Sequence, residues 1–212
     1  MLDILGTNPR IRPVTTKRVR LLALLFVCVT LLTVSCHKKV SKGWFPLELG
    51  SRWTYNLTGS AGEGTFTITV TEVGEVKHYA KAVTDSGVTL ANVFPFSNLD
   101  ADTSCFYTVS GDTTWLGASG GSAPLMVMVQ PLDSVAVWRW TYLLWTDSAV
   151  VSGKTDVLVP AGTFKNCYEV DYYGLLGQHY YRVCYAEGFG AVKGEAFTQP
   201  TWKFELKSTD LP

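Results

Sequence analysis

The sequence predicts an all-β domain built on one curved antiparallel sheet of about ten to twelve strands, either a half-barrel or a β-sandwich-like arrangement. Residues 65–71 alternate threonine with Phe66, Ile68 and Val70, and residues 202–207 repeat the alternation near the C-terminus. A period of two places one face on a core and the other in water, as antiparallel sheets do. No window after Cys36 shows a 3.6-residue apolar stripe, so we expect no helix in the domain.

The chain begins with a short apolar segment that predicts export. Residues 21–34 are apolar or Thr, follow five Lys or Arg residues, and end at Ser35-Cys36. A run of 14 residues is too short to cross a hydrocarbon core of about 30 Å, which needs about 20 residues as a helix. Residues 1–35 therefore have the pattern of a signal-peptide helix with its positive flank in the cytoplasm.

The end of this segment, Thr33-Val34-Ser35-Cys36, resembles the lipobox of bacterial lipoproteins, with Thr33 where that motif usually has Leu. The resemblance implies cleavage before Cys36, acylation of Cys36, and attachment to a membrane through this lipid, with residues 36–43 as a short tether. His37 stands where Asp would signal retention in the inner membrane, so the outer membrane is favoured. An uncleaved anchor, or a plain signal peptide cut nearby, is the alternative.

Composition narrows the possible partners. Residues 36–212 carry 13 Lys or Arg and 17 Asp or Glu, a net charge of −4. A mildly acidic chain lacks the clustered cations that nucleic-acid binding requires. The one basic cluster, Lys38, Lys39 and Lys42, lies beside the proposed lipid. No linker-like or repeated segment divides the rest, so residues 44–212 are predicted to form one domain.

Strand-like runs follow one another along this domain and are separated by turn clusters such as residues 59–64, 85–87 and 152–154. Besides residues 65–71 and 202–207, the runs are 52–57, 76–83, 88–94, 105–109, 125–129, 135–145, 156–159, 167–173, 178–185 and 190–197.

The hairpin near the C-terminus allows a register to be proposed. With Gly174 and Gly177 as the ends of its turn, Glu169 would face Arg182 and Cys167 would face Cys184. The opposite, apolar face would pair Tyr168 with Val183, Val170 with Tyr181, and Tyr172 with His179. A Cys167–Cys184 disulfide is allowed in an exported protein and would contribute about 3 kcal/mol. Two buried free thiols are the alternative.

Three further segments resemble a widespread group of uncharacterised bacterial exported lipoproteins. They are Trp44-Phe45-Pro46-Leu47 with Gly50 and residues 53–55, residues 160–164 with Cys167, and residues 185–193. In that group the last segment usually has Pro and Val where this chain has Glu187 and Phe189. The resemblance implies a curved antiparallel sheet of the half-barrel type, as in periplasmic lipoprotein carriers, and no activity.

Candidates for catalysis and metal binding are weak. Residues 117–121 fit the G-x-S-x-G pattern around Ser119, but no helix follows, as the hydrolase motif requires. Asp100 and Asp102 begin like a calcium loop that lacks the later ligands. Cys105 is a leftover thiol, and zinc-type spacing is absent. We therefore expect no metal, no cofactor and no catalytic residue that can be named.

The clearest candidate for a ligand surface is the stripe Trp138, Trp140 and Tyr142, which places three aromatic side chains on one face of one strand. The stripe could line a groove for an acyl chain or a sugar, or it could simply fill the core. We favour a lipid-anchored envelope protein that binds an apolar ligand or a partner protein through its sheet. The alternative is an envelope hydrolase whose site, around Ser119 or a carboxylate pair, assembles only in three dimensions.

Overall fold

The structure, a computed structural model, describes residues 44–60, 62–75, 77–84, 104–110, 112–118, 125–142, 145–198 and 201–212. All of these residues belong to one compact unit, Lys42–Pro212. Within the described part of the chain, the structure contains no helix that could span a bilayer.

The described residues form an all-β fold in which the strands belong to a single antiparallel sheet. The strands are β1 (Arg52–Gly59), β2 (Gly62–Val73), β3 (Lys77–Thr84), β4 (Ser104–Ser110), β5 (Thr113–Ala118), β6 (Leu125–Val129), β7 (Val137–Tyr142), β8 (Trp145–Val159), β9 (Gly162–Tyr173), β10 (His179–Ala186), β11 (Gly190–Ala196) and β12 (Trp202–Asp210). Their order across the sheet is β6-β5-β4-β3-β2-β1-β12-β11-β10-β9-β8-β7. The predicted fold class is confirmed, and a single sheet replaces the sandwich alternative.

Alternation along the strands places the core on one face of this sheet. The side chains of Phe66, Ile68 and Val70 are each about 1 % exposed, whereas the threonines between them are partly accessible. The same period buries residues on neighbouring strands: Trp53, Tyr55, Leu57, Tyr168, Val170, Tyr172, Val183, Tyr185, Trp202, Phe204 and Leu206. We call the face that carries these residues the core face and the opposite one the outer face.

A buried hydrogen bond shows how strongly the sheet curls. The hydroxyl of Tyr172 in β9 donates to the backbone carbonyl of Val127 in β6 at 2.6 Å. These strands are the tenth and the first in the sheet order, so the sheet must bend until its two ends approach across the core. The Tyr172 hydroxyl also lies 2.8 Å from that of Tyr185. Because its one proton goes to Val127, Tyr185 is the donor in this second bond.

The two ends of the curled sheet differ in what they contain. The basal end, as we call it, holds the start of β1, the end of β12, and the turns at residues 160–161 and 187–189. The apical end holds the turn at residues 174–178, the end of β11 and the start of β12. The long β8–β9 hairpin reaches across the basal end, where the amide of Ala161 donates to the carbonyl of Leu206 in β12 at 3.0 Å.

The predicted register of the β9–β10 hairpin is wrong by two residues. Tyr168 faces Tyr185, Val170 faces Val183, and Glu169 faces Cys184, not Arg182. The turn is longer than predicted, with Leu176 at φ +64°, and the register shifts again between His179 and Tyr181. A shift of two keeps the side chains of residues 168–172 on their predicted faces, because the side-chain period of a strand is two. The second shift moves His179 from the predicted core face to the outer face, where it pairs with Tyr173.

The predicted strands differ from the observed ones mainly in the middle of the chain. Residues 125–129 form β6 as predicted, but β5 was not predicted, and the run 135–145 divides between β7 and β8. Strand β8 begins at Trp145 and continues to Val159, through the predicted turn at residues 152–154. The predicted strand 88–94 lies outside the described residues.

Replacing Tyr172 with Phe tests the contact that closes the sheet. The variant removes the buried hydrogen bonds of Tyr172 with the Val127 carbonyl and the Tyr185 hydroxyl. We therefore expect the free energy of unfolding to fall by about 1 to 3 kcal/mol. Urea denaturation of the detergent-solubilised full chain, followed by circular dichroism, measures it. Tyr180→Phe is the matched control, since it removes a hydroxyl that has no hydrogen bond with the described residues. Equal stability of the two variants would contradict this role of Tyr172.

Candidate functional site

The three segments that carry the lipoprotein resemblance come together at the basal end. The centroid of the Phe45 ring lies 5.7 Å from that of Tyr107 and 6.0 Å from that of Tyr185. Phe45 also covers Gly190, where a Cβ atom would come within 2.5 Å of the Phe45 ring. Gly190 has φ +79°, a conformation that glycine adopts without steric cost. The sequence motif therefore includes residues that close the base of the core.

Hydrogen bonds from buried aromatic side chains fix the β10–β11 turn in the same region. Trp53 Nε1 donates to the carbonyl of Phe189 at 2.8 Å, and the Tyr55 hydroxyl donates to the carbonyl of Ala191 at 3.0 Å. Phe164, from the tip of the β8–β9 hairpin, packs edge-to-face on Phe189 at 5.0 Å. Residues far apart in sequence thus hold one turn in place.

A depression of about 660 Å³ opens beside this cluster. Its walls come from the β8–β9 hairpin tip, the β10–β11 turn and the end of β12, with Lys165, Glu187, Phe189 and Lys207 among the lining residues. Asp156 accepts a hydrogen bond from Lys165 Nζ at 2.5 Å, so the charge of Lys165 is already paired. The mixture of hydroxyl, charged and aromatic groups could bind a small polar ligand.

The predicted aromatic stripe on β7 belongs to the core where its side chains are described. Trp138 is 5 % exposed, and its ring lies edge-on to Tyr172 at 6.2 Å. Trp140 is partly buried against the same tyrosine at 6.3 Å, whereas the Tyr142 side chain is not described. The structure therefore shows core packing at Trp138, and no open groove there.

The core beside Phe45 and Tyr55 also leaves little space. A cavity there measures about 10 Å³, which is about the minimum that one water molecule needs. An acyl chain could enter this part of the core only if packed side chains moved. The core face is therefore filled in the region around Phe45 and Tyr55.

Cys167 and Cys184 are both buried free thiols in the structure, so the predicted disulfide is not present. The corrected register explains this, because Cys184 faces Glu169 on β9, while Cys167 faces Thr155 on β8. Burial raises the pKa of Cys184 to about 12 and also raises the pKa of Cys167. Both thiols stay protonated near neutral pH and are poor nucleophiles.

A charged cluster that the sequence did not predict lies on the outer face near the apical end. Asp171 is 3 % exposed and accepts two hydrogen bonds from Arg182, at 2.8 and 3.1 Å, while His179 Nε2 lies 2.8 Å from it. Burial acts to raise the pKa of Asp171, but the hydrogen bonds and the positive charge of Arg182 hold this pKa below its usual value. His179 faces Tyr173, not Tyr172 as predicted. Only the corrected register reveals this cluster.

Several predicted site residues lie outside the described residues. They are the lipidation site Cys36, the candidate nucleophile Ser119, and Asp100 and Asp102. Within the described part of the chain, no group of three or more His, Cys, Asp or Glu side chains could hold a metal ion.

Comparison with known proteins gives distant structural similarity only. No family model matches the sequence, and no curated protein matches it. A candidate lipoprotein from Parabacteroides distasonis is 12 % identical with a TM-score of 0.39, covering 79 % of this chain and 98 % of its own. A candidate outer membrane lipoprotein-sorting protein domain from Vibrio parahaemolyticus is 8 % identical with a TM-score of 0.27. The match covers 79 % of this chain and 86 % of the Vibrio domain. A DUF1329 family protein from Desulfovibrio piger is 9 % identical with a TM-score of 0.23, covering 77 % and 86 %. At these TM-scores we draw no conclusion about this chain.

Substitution of Gly190 tests whether the basal cluster is rigid. Gly190→Ala places a methyl group against the Phe45 ring and strains the backbone, whereas Gly188→Ala strains the backbone at φ +75° with no atom within 4 Å. We expect Gly188→Ala to cost about 1 to 2 kcal/mol and Gly190→Ala to cost a further 1 to 3 kcal/mol, roughly, through overpacking. Thermal unfolding of the two variants measures the difference. Equal melting temperatures would show that Phe45 moves aside freely.

Alkylation of the native protein tests the state of the two cysteines. At pH 8 an unperturbed thiol, with a pKa of about 8.5, is partly ionised, whereas Cys167 and Cys184 stay protonated and covered. We expect iodoacetamide to label both residues at least about ten-fold more slowly in the folded protein than in urea. Peptide mass spectrometry reads each site. Fast labelling, or a linked peptide pair under non-reducing conditions, would contradict the free buried thiols.

Proposed function

We propose that this protein is a lipid-anchored component of the bacterial cell envelope and that its β-domain works by binding and not by catalysis. The observation that carries this proposal is the leader, in which a basic flank and 14 apolar or Thr residues end at Ser35-Cys36. The lipobox resemblance supports cleavage before Cys36 and acylation of its thiol. Two or three acyl chains hold a protein on a bilayer stably, at about 0.8 kcal/mol per buried CH₂.

The position of the first described residues supports an orientation for the anchored domain. Trp44 packs edge-on to Tyr168 at 5.2 Å, and Phe45 covers Gly190 at the basal end. The eight residue steps from Cys36 to Trp44 span at most about 28 Å when fully extended. An acylated Cys36 would therefore keep the basal end near the bilayer and leave the apical end facing away. His37, where Asp would signal retention, supports the outer membrane over the inner membrane.

The filled core face supports binding at the surface rather than enclosure of an apolar ligand. Trp138 is buried, and the cavity beside Phe45 holds about 10 Å³. A partner or ligand would meet the outer face or the two ends of the sheet, where charged and hydroxyl-bearing side chains are exposed. The net charge of −4 after cleavage gives no support for nucleic acid as that partner.

Replacing Cys36 with Ser tests the anchor directly. We expect wild-type protein to sediment with membranes and its N-terminal peptide to begin at an acylated Cys36, whereas Cys36→Ser is neither acylated nor cleaved by the lipoprotein route. Fractionation and mass spectrometry of that peptide provide the measurement. Cys28→Ser is the matched control, because this cysteine lies inside the leader and its loss should change nothing. A wild-type chain that retains residues 1–35, or carries no lipid on Cys36, would overturn the anchor.

A further inference from the structure

Three aromatic rings in contact form a platform on the outer face near the apical end. Tyr173 stacks on His179 at 4.9 Å, and His179 lies against Phe197 at 4.2 Å. Phe197 is 45 % exposed, yet it is held on two sides. Its backbone amide donates to the carbonyl of Tyr180 at 2.9 Å, and the guanidinium carbon of Arg182 lies 5.8 Å from its ring centre. An exposed aromatic ring fixed in this way is preorganised for contact with a ligand.

A depression of about 480 Å³ adjoins this platform, within the range of about 300 to 1,000 Å³ of small-molecule sites. Phe197 forms one wall of this depression. The depression lies where strands β1 and β11 end and strand β12 begins. Its lining includes Thr58, Glu195, Phe197, Thr201, Trp202 and Lys203.

Several side chains that line this depression are polar, and their charges balance. Glu195 supplies an acceptor, Lys203 supplies donors, and the hydroxyls of Thr58 and Thr201 can do both. The Lys203 Nζ and Glu195 carboxylate lie 3.7 Å apart, longer than a good hydrogen bond. A ligand hydroxyl could therefore bond to both groups. The two charges cancel, so the site favours neither an anion nor a cation.

These features together favour a carbohydrate. A pyranose ring presents an apolar C–H face that can lie on an aromatic ring, and hydroxyls at its edge that donate and accept hydrogen bonds. An acyl chain would leave the polar groups of this lining without partners. A peptide could not extend the sheet here, because β1 and β12 are each paired with strands on both sides.

We propose that the Phe197 platform and the adjoining depression form a binding site for a glycan chain of the cell envelope. This inference rests on the proposed function, since a domain anchored at its basal end would present this apical site to material beyond the membrane. Phe197 provides the stacking surface, and Glu195 and Lys203 bind the sugar hydroxyls.

Titration of the detergent-solubilised full-length protein with chitotetraose and with cellotetraose tests the site, and co-sedimentation with purified peptidoglycan sacculi tests a polymer. Trp202 lines the depression, so tryptophan fluorescence provides the signal. We expect saturable binding to at least one of these three probes, and Phe197→Ala to weaken it about ten-fold. Lys203→Gln, at a largely exposed position that should preserve the fold, should also weaken it. Val73→Ala is the matched control, at a 47 % exposed residue near the basal end.

The inference would be overturned if the protein bound none of the three probes. It would also be overturned if Phe197→Ala and Lys203→Gln both bound the probe with unchanged affinity. Selective capture of a purified envelope protein that Phe197→Ala abolishes, without any glycan binding, would also overturn it. Acylation of Cys36 and glycan binding are measured separately. If Cys36 is acylated but the protein binds no glycan, only the proposed glycan site is overturned. If the protein binds glycan but carries no lipid, only the proposed anchor is overturned.

Discussion

The hydroxyl of Tyr172 spans the core from the tenth strand of the sheet to the first, where it bonds to the carbonyl of Val127. Burial raises the pKa of Tyr172, so this group stays protonated and remains a donor. Because a buried carbonyl without a partner is costly, the bond favours a strongly curled sheet over an open one. Trp138 packs against the same tyrosine. The closure of the sheet and the filling of its core thus depend on one side chain.

This closure leaves little free space on the core face around Phe45, Tyr55 and Trp138. The aromatic side chains of the described core face pack on one another, and Trp53 and Tyr55 use their polar atoms to hold the β10–β11 turn. The binding proposed above therefore falls on the outer face and the two ends of the sheet, because the described core face is filled around Phe45, Tyr55 and Trp138. The basal end is occupied largely by contacts that hold the fold together, including Phe45 over Gly190. The apical end presents Phe197 fixed but exposed, which is a more favourable arrangement for binding.

Much of the fold could be predicted from the sequence, because the alternation of side chains along a strand identifies the buried face even where the predicted register is wrong. The faces of Tyr168, Val170 and Tyr172 were predicted correctly although their partners were not, since a shift of two residues preserves the face. Strand β5 was missed because Thr113–Ala118 contains Gly117 and lacks a clear alternation. The Asp171–Arg182 pair was missed because it depends on a turn whose Leu176 adopts positive φ, a conformation that is rare for leucine.

The contact between Tyr172 and Val127 can be measured directly in solution. In full-length protein with isotope-labelled valine methyls and tyrosine rings, we expect nuclear Overhauser effects between the Val127 methyl groups and the Tyr172 ring. These residues lie on strands at positions one and ten of the sheet, so an open sheet could not bring them together. Absence of this contact in a folded sample, with β6 exchanging its amides independently of β9, would contradict a core closed by the Tyr172 hydroxyl.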